Sequence, residues 1–435
     1  MKAILLDGSF ANDTTGERIR SALTWHLQNR GWNIETIILR EKKIGQCTGN
    51  FLCWIRTPGV CHLNDNNRLV AGVIAASDLM VYLTPLTFGG YSSALKRMVD
   101  HQIQNISPFF TKVEGETHHQ HRYQKYPDFL AVGWMEKGDP SAEAIFRHLV
   151  QRNAINFFAE THISDVILSG QSDQEIKDSA ESWLNALQDG QSAPSAELPT
   201  SHKTGNGISQ IRRALLLVGS PRRQKSTSNS LGGYLLEQLK KRSIQTETIY
   251  LHALLRFPGK IQILIDAVKA ADLVTLTFPL YVDSLPAPVI EALEHLAGFR
   301  QNWETRPKGF AAIMNCGFPE TCHNETALAI CKTFAQQAGF VWAGSLALGG
   351  GEIVGGVPLV QGGGRTVRIR KSLELAAAAL SQGQTIPKAA QDLLEKPVIP
   401  SWLYRFIGGF GWKKRAKRYG VEKLLRQQPY LKTNK

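Results

Sequence analysis

Cysteine is scarce in this chain: six residues in 435, at positions 47, 53, 61, 316, 322 and 331. That is too few for a disulfide framework and fits a reducing compartment. No uninterrupted apolar run approaches the ~20 residues that a helix needs to cross a bilayer. Only four apolar residues precede the polar turn residues of "MKAILLDGSFANDTTG", fewer than a secretory leader carries, so the expectation is a cytoplasmic protein. Acidic residues are almost missing from one place. Residues 400–435 hold ten Lys or Arg against a single acid, Glu422, and this segment supplies most of the net charge of +13. The bulk of the chain is only mildly basic, which excludes reading its pI as a nucleic-acid footprint. No Ser-His-Asp or paired-carboxylate arrangement stands out as catalytic machinery.

What is present is a pattern that occurs twice. "KAILLDGSF" (2–10) is a short apolar run ending in a Gly-Ser turn, and "ALLLVGSPR" (214–222) repeats it about 210 residues later. A Ser/Thr-rich loop follows each, "ANDTTG" (11–16) and "RQKSTSNS" (223–230). Helical periodicity then predicts helices over 17–31 and 231–242, and second strands over 33–40 and 245–251. Both halves continue through an Ala-Asp turn into an apolar strand, a Pro-containing loop and another helix, at 76–101 and 271–296. Later strands are expected at 128–135 and 161–168, and at 308–315 and 340–348. Apolar runs alternating with helical periods indicate parallel sheet covered on both faces. The chain therefore divides into 1–187, a Gly/Ser/Pro-rich linker 188–210, a second domain 211–385 and a tail 386–435.

In such a sheet ligands sit at the carboxyl ends of the strands. The loop "GSPRRQKSTSN" offers Ser220, Ser226, Thr227 and Ser228 at a helix N-terminus, with Arg222 as charge partner, a setting that suits a phosphate. These residues could equally be ordinary helix caps. Neither G-x-x-x-x-G-K-[ST] nor G-x-G-x-x-G follows the first strand of either half, which argues against a nucleotide triphosphatase or a Rossmann dinucleotide site. The loops "TPLTFGGYSS" (84–93) and "FPLYVDSLPAP" (278–288) leave a buried strand through Pro and could lie along a flat ring.

"GSPR…STS" followed by "PLYVDSLP" resembles the flavodoxin-like NAD(P)H-dependent FMN reductases. "TPLTFGGYSSALK" with the cysteine cluster resembles a related branch that includes iron–sulfur flavoproteins. The resemblance covers roughly 1–187 and 210–380. It implies two tandem α/β domains, each a doubly wound five-stranded parallel sheet of order 2-1-3-4-5. It also implies FMN as cofactor and NAD(P)H as co-substrate, with hydride passing through flavin to a small acceptor such as a quinone, a nitro or azo aromatic or free flavin. An electron carrier acting on protein partners is the alternative.

Carried over by position, the FMN phosphate would meet Ser220, Arg222, Ser226, Thr227 and Ser228. The ring would lie against Pro279, Leu280, Tyr281 and Val282 under the turn Asn315, Cys316 and Gly317. In the first half the corresponding positions are Ser9, Asn12, Thr14 and Thr15, and Pro85, Leu86, Thr87, Phe88, Gly89 and Gly90. The first loop holds Asp7 and Asp13 and no Arg, which disfavours a phosphate dianion there, whereas the first half has the better ring loop. One flavin per chain or two stays open, as does a homo-oligomer.

Cys47, Cys53 and Cys61 match three of the four cysteines of the iron–sulfur members, with Asn50 at the remaining position. A [4Fe–4S] cluster wants four thiolates, and zinc would need a fourth ligand that His62 is poorly placed to give. No metal site is expected. "HHQHR" (118–122) is expected as an exposed loop lining the flavin pocket rather than a metal site. The Gly-rich 349–365, with Arg365, could cradle a dinucleotide pyrophosphate or serve as a flexible lid or a dimer contact. The tail groups Trp402, Leu403, Phe406, Ile407, Phe410 and Trp412 ahead of its basic run. Between an interfacial helix on anionic lipid and a segment packing its aromatics on the second domain, the second is the expectation.

Overall fold

The computed structural model describes residues 1–199, 208, 210–300 and 307–431. The chain forms two compact units, Met1–Pro199 together with Arg405–Lys435, and Thr200–Tyr404. The C-terminal segment thus returns to the first unit. Residues 200–207 and 209 of the expected linker lie outside the described residues. The part before them is tied to the first unit, with Ala193 N–H donating to the His162 carbonyl at 2.8 Å and Ala196 N–H to Gln151 Oε1 at 3.2 Å.

The first sheet is built from β1 (Lys2–Asp7), β2 (Asn33–Ile38), β3 (Leu79–Pro85), β6 (Asp128–Met135) and β7 (His162–Leu168), in the order β2-β1-β3-β6-β7. A two-stranded antiparallel hairpin, β4 (Ile106–Val113) with β5 (Glu116–His121), is inserted between β3 and β6. The second sheet runs β9-β8-β10-β11-β12, from β8 (Arg213–Val218), β9 (Gln245–Tyr250), β10 (Leu273–Pro279), β11 (Gly309–Asn315) and β12 (Val341–Leu348). All pairs within the two large sheets are parallel. Counting only sheet strands, both orders are 2-1-3-4-5, as the sequence led us to expect.

The central strands read as unbroken apolar runs because helices cover both of their faces. In β3 every residue from Leu79 to Thr84 is buried. The helix Thr14–Asn29 buries Ile19, Ala22, Leu23, His26 and Leu27, the i, i+3, i+4 pattern of a single inward stripe. Its counterpart Thr227–Lys240 buries Leu231, Leu235, Leu236 and Leu239. Both begin three or four residues earlier than periodicity alone placed them, because a capping side chain captures the first turn before the apolar stripe starts.

The hairpin is the element that the sequence pattern hid. Residues 118–122 are not an exposed loop: most of "HHQHR" is the end of β5, and His118 is 1% exposed. The strands meet at a tight turn with Glu114 at φ +50° and Gly115 at φ +95°. The histidines pack as flat rings: His119 lies 4.7 Å from Trp54 and 5.1 Å from Phe110, and His121 lies 3.7 Å from Phe158. Imidazoles count as polar in a hydropathy pattern, so a strand that buries them does not look like one.

Candidate functional site

Equivalent loops gather at the carboxyl edge of each sheet, and their register can be compared residue by residue. In the second unit the last residue of β10, Pro279, stands opposite Asn315 of β11; in the first, Pro85 of β3 stands opposite Trp134 of β6. The Leu280 N–H donates to the Asn315 carbonyl and the Leu86 N–H to the Trp134 carbonyl, both at 2.8 Å. Asn315 and Trp134 therefore occupy the same place in the two units.

The phosphate-type loop of the second unit begins at Gly219. A Cβ there would come within 2.3 Å of Val289, so the helix after β10 packs directly on the turn. Ser226 caps the helix Thr227–Lys240 by accepting from the Asn229 N–H at 3.1 Å. Ser220 accepts from the Arg222 N–H at 3.4 Å. Thr227 Oγ1 donates to the Gly351 carbonyl at 2.8 Å, and the Asn315 amide nitrogen donates to Ser228 Oγ at 3.0 Å. Thr227 and Ser228 thus lie in the first helical turn rather than in the loop. Arg222, Arg223 and Lys225 are exposed. Ser220, Ser226 and Ser228 are buried and Thr227 partly so, leaving the cations as the exposed groups of a loop that has no carboxylate of its own.

The first-unit loop is arranged differently. Asp13 caps the helix, its Oδ1 accepting from the Gly16 N–H at 3.1 Å, while its Oδ2 accepts from the Trp134 indole N–H at 2.9 Å. Asp7, fully buried, accepts from the Ser9 N–H at 2.8 Å and pairs with Arg20. Arg40 donates to Ser9 Oγ at 2.7 Å. Asn12 and Thr14 are exposed and Thr15 is buried in the first turn. Two carboxylates of the chain therefore hold two backbone donors and the cation Arg20 at this loop, while Arg40 is turned onto Ser9.

The ring-type loops share one shape. Thr87 and Gly90 bridge each other, as do Tyr281 and Ser284. The central pairs have φ +56° and +82° at Phe88 and Gly89, and φ +47° and +55° at Val282 and Asp283. Two successive left-handed residues make the tight primed turn. For the β-branched Val282 that conformation costs about 1–3 kcal/mol, the kind of strain retained at functional sites. Thr87 and Phe88 are buried where the equivalent Tyr281 and Val282 stay partly exposed; Pro85 and Leu86 are partly exposed like Pro279 and Leu280, and Gly89, against Ile145, and Gly90 are buried like Asp283 and Ser284.

Three features of the second-unit edge were missed by sequence reasoning. The Gly-rich segment lies against the phosphate-type loop: a Cβ on Gly356, at φ +73°, would meet the Lys225 carbonyl at 2.4 Å. Gly351 leaves room for Asn315 in the same way, where a Cβ would be 2.7 Å from Oδ1. The Tyr404 hydroxyl reaches the turn at Gly317, and burial pushes that phenol well above its usual range. Cys316, in that turn, is also pushed up by burial, to about 12, and stays a thiol at neutral pH. Superposing the two strand-end patterns would have exposed the Asn315–Trp134 difference; the Gly-rich and Tyr404 contacts have no local signal.

The cysteines converge as well. Cys47, Cys53 and Cys61 line one pocket with Asn50, His62, His101 and Gln104. His62 is not turned away, as expected, but meets Asn50 at 3.3 Å between Nε2 and Nδ2. The Asn50 Oδ1 accepts from the Leu52 N–H at 3.0 Å, so its amide is engaged at both ends. Burial pushes the Cys47 thiol up to about 12 and raises Cys53 and Cys61 in the same direction.

Comparison with known proteins places these observations. The family model for NADPH-dependent FMN reductase matches two stretches, residues 1–124 and 212–344. No curated protein sequence matches the chain. Among solved structures, an NAD(P)H:quinone oxidoreductase from Methanothermobacter marburgensis is similar at 16% identity, over 38% of this chain and 96% of its own, with a TM-score of 0.29. An FMN-dependent NADH-azoreductase from Bacillus anthracis is similar at 12% identity, over 39% of this chain and 99% of its own, with a TM-score of 0.29.

Proposed function

The chain belongs to the NADPH-dependent FMN reductase family and is a flavin-dependent NAD(P)H oxidoreductase, and from that premise we propose that its second unit binds the FMN while its first unit is a scaffold without flavin. The observation that carries this reading is the contrast at the phosphate-type loops. Residues 219–230 keep their cations exposed, whereas Asp7 and Asp13 take up the donors of the first loop.

In this assignment Ser220, Arg222, Ser226, Thr227 and Ser228 hold the phosphate, through hydroxyls, helix N-terminal amides and the guanidinium. Pro279, Leu280, Tyr281 and Val282 form the floor for the ring, and Asn315 and Gly317 form its rim. Bound FMN supplies the chemistry, accepting hydride from NAD(P)H and reducing the acceptor. The protein supplies position and dryness. Asn315 fixes the spacing of phosphate and ring by joining the end of β11 to Ser228. The neutral Tyr404 hydroxyl at Gly317 excludes water from the rim without adding charge. The acceptor is a small flat molecule, a quinone, a nitro or azo aromatic or free flavin, received on the face of the ring away from the Tyr281 floor. Ser9, Asn12, Thr14 and Thr15, with Pro85 to Gly90, keep the fold of a flavin site without its function.

An iron–sulfur cluster is not part of this reading. Three thiols share the pocket, but the fourth place is held by an Asn50 amide engaged with His62 and Leu52, and no thiolate is offered there.

Quantifying flavin, iron and sulfide per chain tests the assignment. One FMN without iron is the expected result. Two FMN per chain would overturn the scaffold role of the first unit, and no FMN after reconstitution would overturn the site itself.

A further inference from the structure

The helix Ser401–Lys417 inverts the usual order of a surface helix. On its inner side Trp412 and Ala416 pack with Trp54, Ile55, Ile106 and Leu425. Gly408 lets Phe110 approach so closely that a Cβ would meet its ring at 2.3 Å. The outer side should then be polar. Instead it carries Phe406, Ile407 and Phe410, which are 64%, 52% and 62% exposed. Positions 406, 407 and 410 share one side of a helix, and the rings of Phe406 and Phe410 meet at 5.2 Å. The expectation that Trp402, Phe406, Phe410 and Trp412 pack on the second domain is not met: of these only Trp412 is buried, and it is buried in the first unit.

The charges of this segment are sorted as well. Arg415 lies over the Trp412 ring at 4.6 Å, and Arg426 lies over Phe109 at 4.6 Å while donating to Gln120 at 2.9 Å. Those arginines face the protein. Lys413, Lys414 and Lys417 fall on the Phe406 side of the helix and are exposed. The outer face is therefore apolar over its first turns and cationic over its last.

We propose that this face docks on an anionic lipid surface, with the helix lying in the plane of the interface. Phe406, Ile407 and Phe410 enter the boundary between headgroups and acyl chains, and Lys413, Lys414 and Lys417 meet lipid phosphates. Contiguous exposed apolar surface of this kind marks an interaction site, and its charge selects the occupant. A second copy would bring together two segments that each hold ten cations and only Glu422 as an acid. An anionic bilayer complements them. The attachment is peripheral, since among the described residues no helix is long and apolar enough to cross a membrane. The inference stands on the tail alone and does not rest on the flavin assignment.

The test is co-sedimentation of the full-length protein with vesicles of phosphatidylcholine alone and with vesicles containing about a third phosphatidylglycerol. The protein is expected on the anionic vesicles only. The double variant Phe406→Ser/Phe410→Ser, whose exposed positions leave the melting temperature unchanged, should bind at least ~10-fold more weakly. Lys413→Glu/Lys414→Glu/Lys417→Glu should remove binding. Absence of binding to anionic vesicles would overturn the proposal. So would equal binding by the Phe double variant, which would reduce the effect to the general attraction of a chain of net charge +13. A dimer in light scattering that the Phe double variant dissolves would make a second copy the occupant and overturn it too.

Discussion

Residues 8–16 and 219–230 start from the same strand, turn and helix N-terminus, yet they end in opposite electrostatic states. In one, Asp13 caps the helix and Asp7 takes the Ser9 amide and Arg20; in the other, Ser226 caps the helix and Arg222, Arg223 and Lys225 are exposed. A helix N-terminus favours negative charge whatever its source. A carboxylate tethered in the loop is always present, so it occupies the site without a ligand; a hydroxyl cap leaves the field for one. The strand ends show the same divergence. Trp134 is 3% exposed and closes the first edge, while Asn315 joins phosphate-type and ring-type loops across the second.

The largest effect is expected from placing the first-unit residue in the second unit. Asn315→Trp should abolish FMN binding at micromolar concentration, read as loss of flavin fluorescence quenching. The reciprocal Trp134→Asn should leave flavin content unchanged while destabilising the first unit. A change of stoichiometry in Trp134→Asn would break the comparison outright.

Next comes the dependence of the first unit on the returning tail. Trp412→Ala empties the cluster formed with Trp54, Ile55, Ile106 and Leu425 and should cost about 3–5 kcal/mol. Calorimetry should show the loss in one of two transitions, with the second unit melting as before. Equal shifts of both transitions would mean that the tail stabilises more than the first unit.

Charge at the open loop gives a smaller effect. Arg222→Ala should weaken FMN binding by about 1.5–3 kcal/mol, as expected for a hydrogen bond to a charged group. Riboflavin, which has no phosphate, should bind the variant and the parent alike. If both flavins weaken together, Arg222 does not act on a phosphate.

The smallest effect is set by pH. Burial holds His119 at about 3, against ~6.5 in an unfolded chain. Between those values the unfolded chain takes up a proton that the folded one does not. Stability contributed by the neutral imidazole is complete above pH 6.5 and is lost as pH falls, by up to ~1.4 kcal/mol per pH unit. His101, His121 and His162 of the first unit are lowered for the same reason, and His252 in the second. Hydrogen exchange at pH 7 and pH 5 should therefore show the first unit opening more than the second, and His119→Phe should reduce the difference.

Much of the plan is legible in the sequence. The two sheets and their strand order follow from apolar runs broken by Gly, Pro and Asp, which act over a few residues, whereas the primed turns at 87–90 and 281–284 appear only in the structure. The second-unit loop was legible because its hydroxyls and cations are contiguous. The state of the first loop was only half legible: Asp7 and Asp13 are visible as like charge, but Arg40 and Trp134 reach it from 31 and 121 residues away. The hairpin at 106–121 was hidden because its core is made partly of histidine. The fate of the tail was hidden because Trp402 to Trp412 form one aromatic run, and sequence alone does not say which of them has a partner.

By itself the sequence determined that two doubly wound sheets form and that a hydroxyl-rich helix start closes each first strand, since these depend on neighbours within one or two turns. Only the tertiary structure decided how the side chains around each helix start pair off and which aromatics of the tail remain outside. Those outcomes depend on long-range approach, a tryptophan from β6 onto Asp13 and Trp412 onto Trp54, and the free energy of such contacts belongs to the packed arrangement rather than to any stretch of chain.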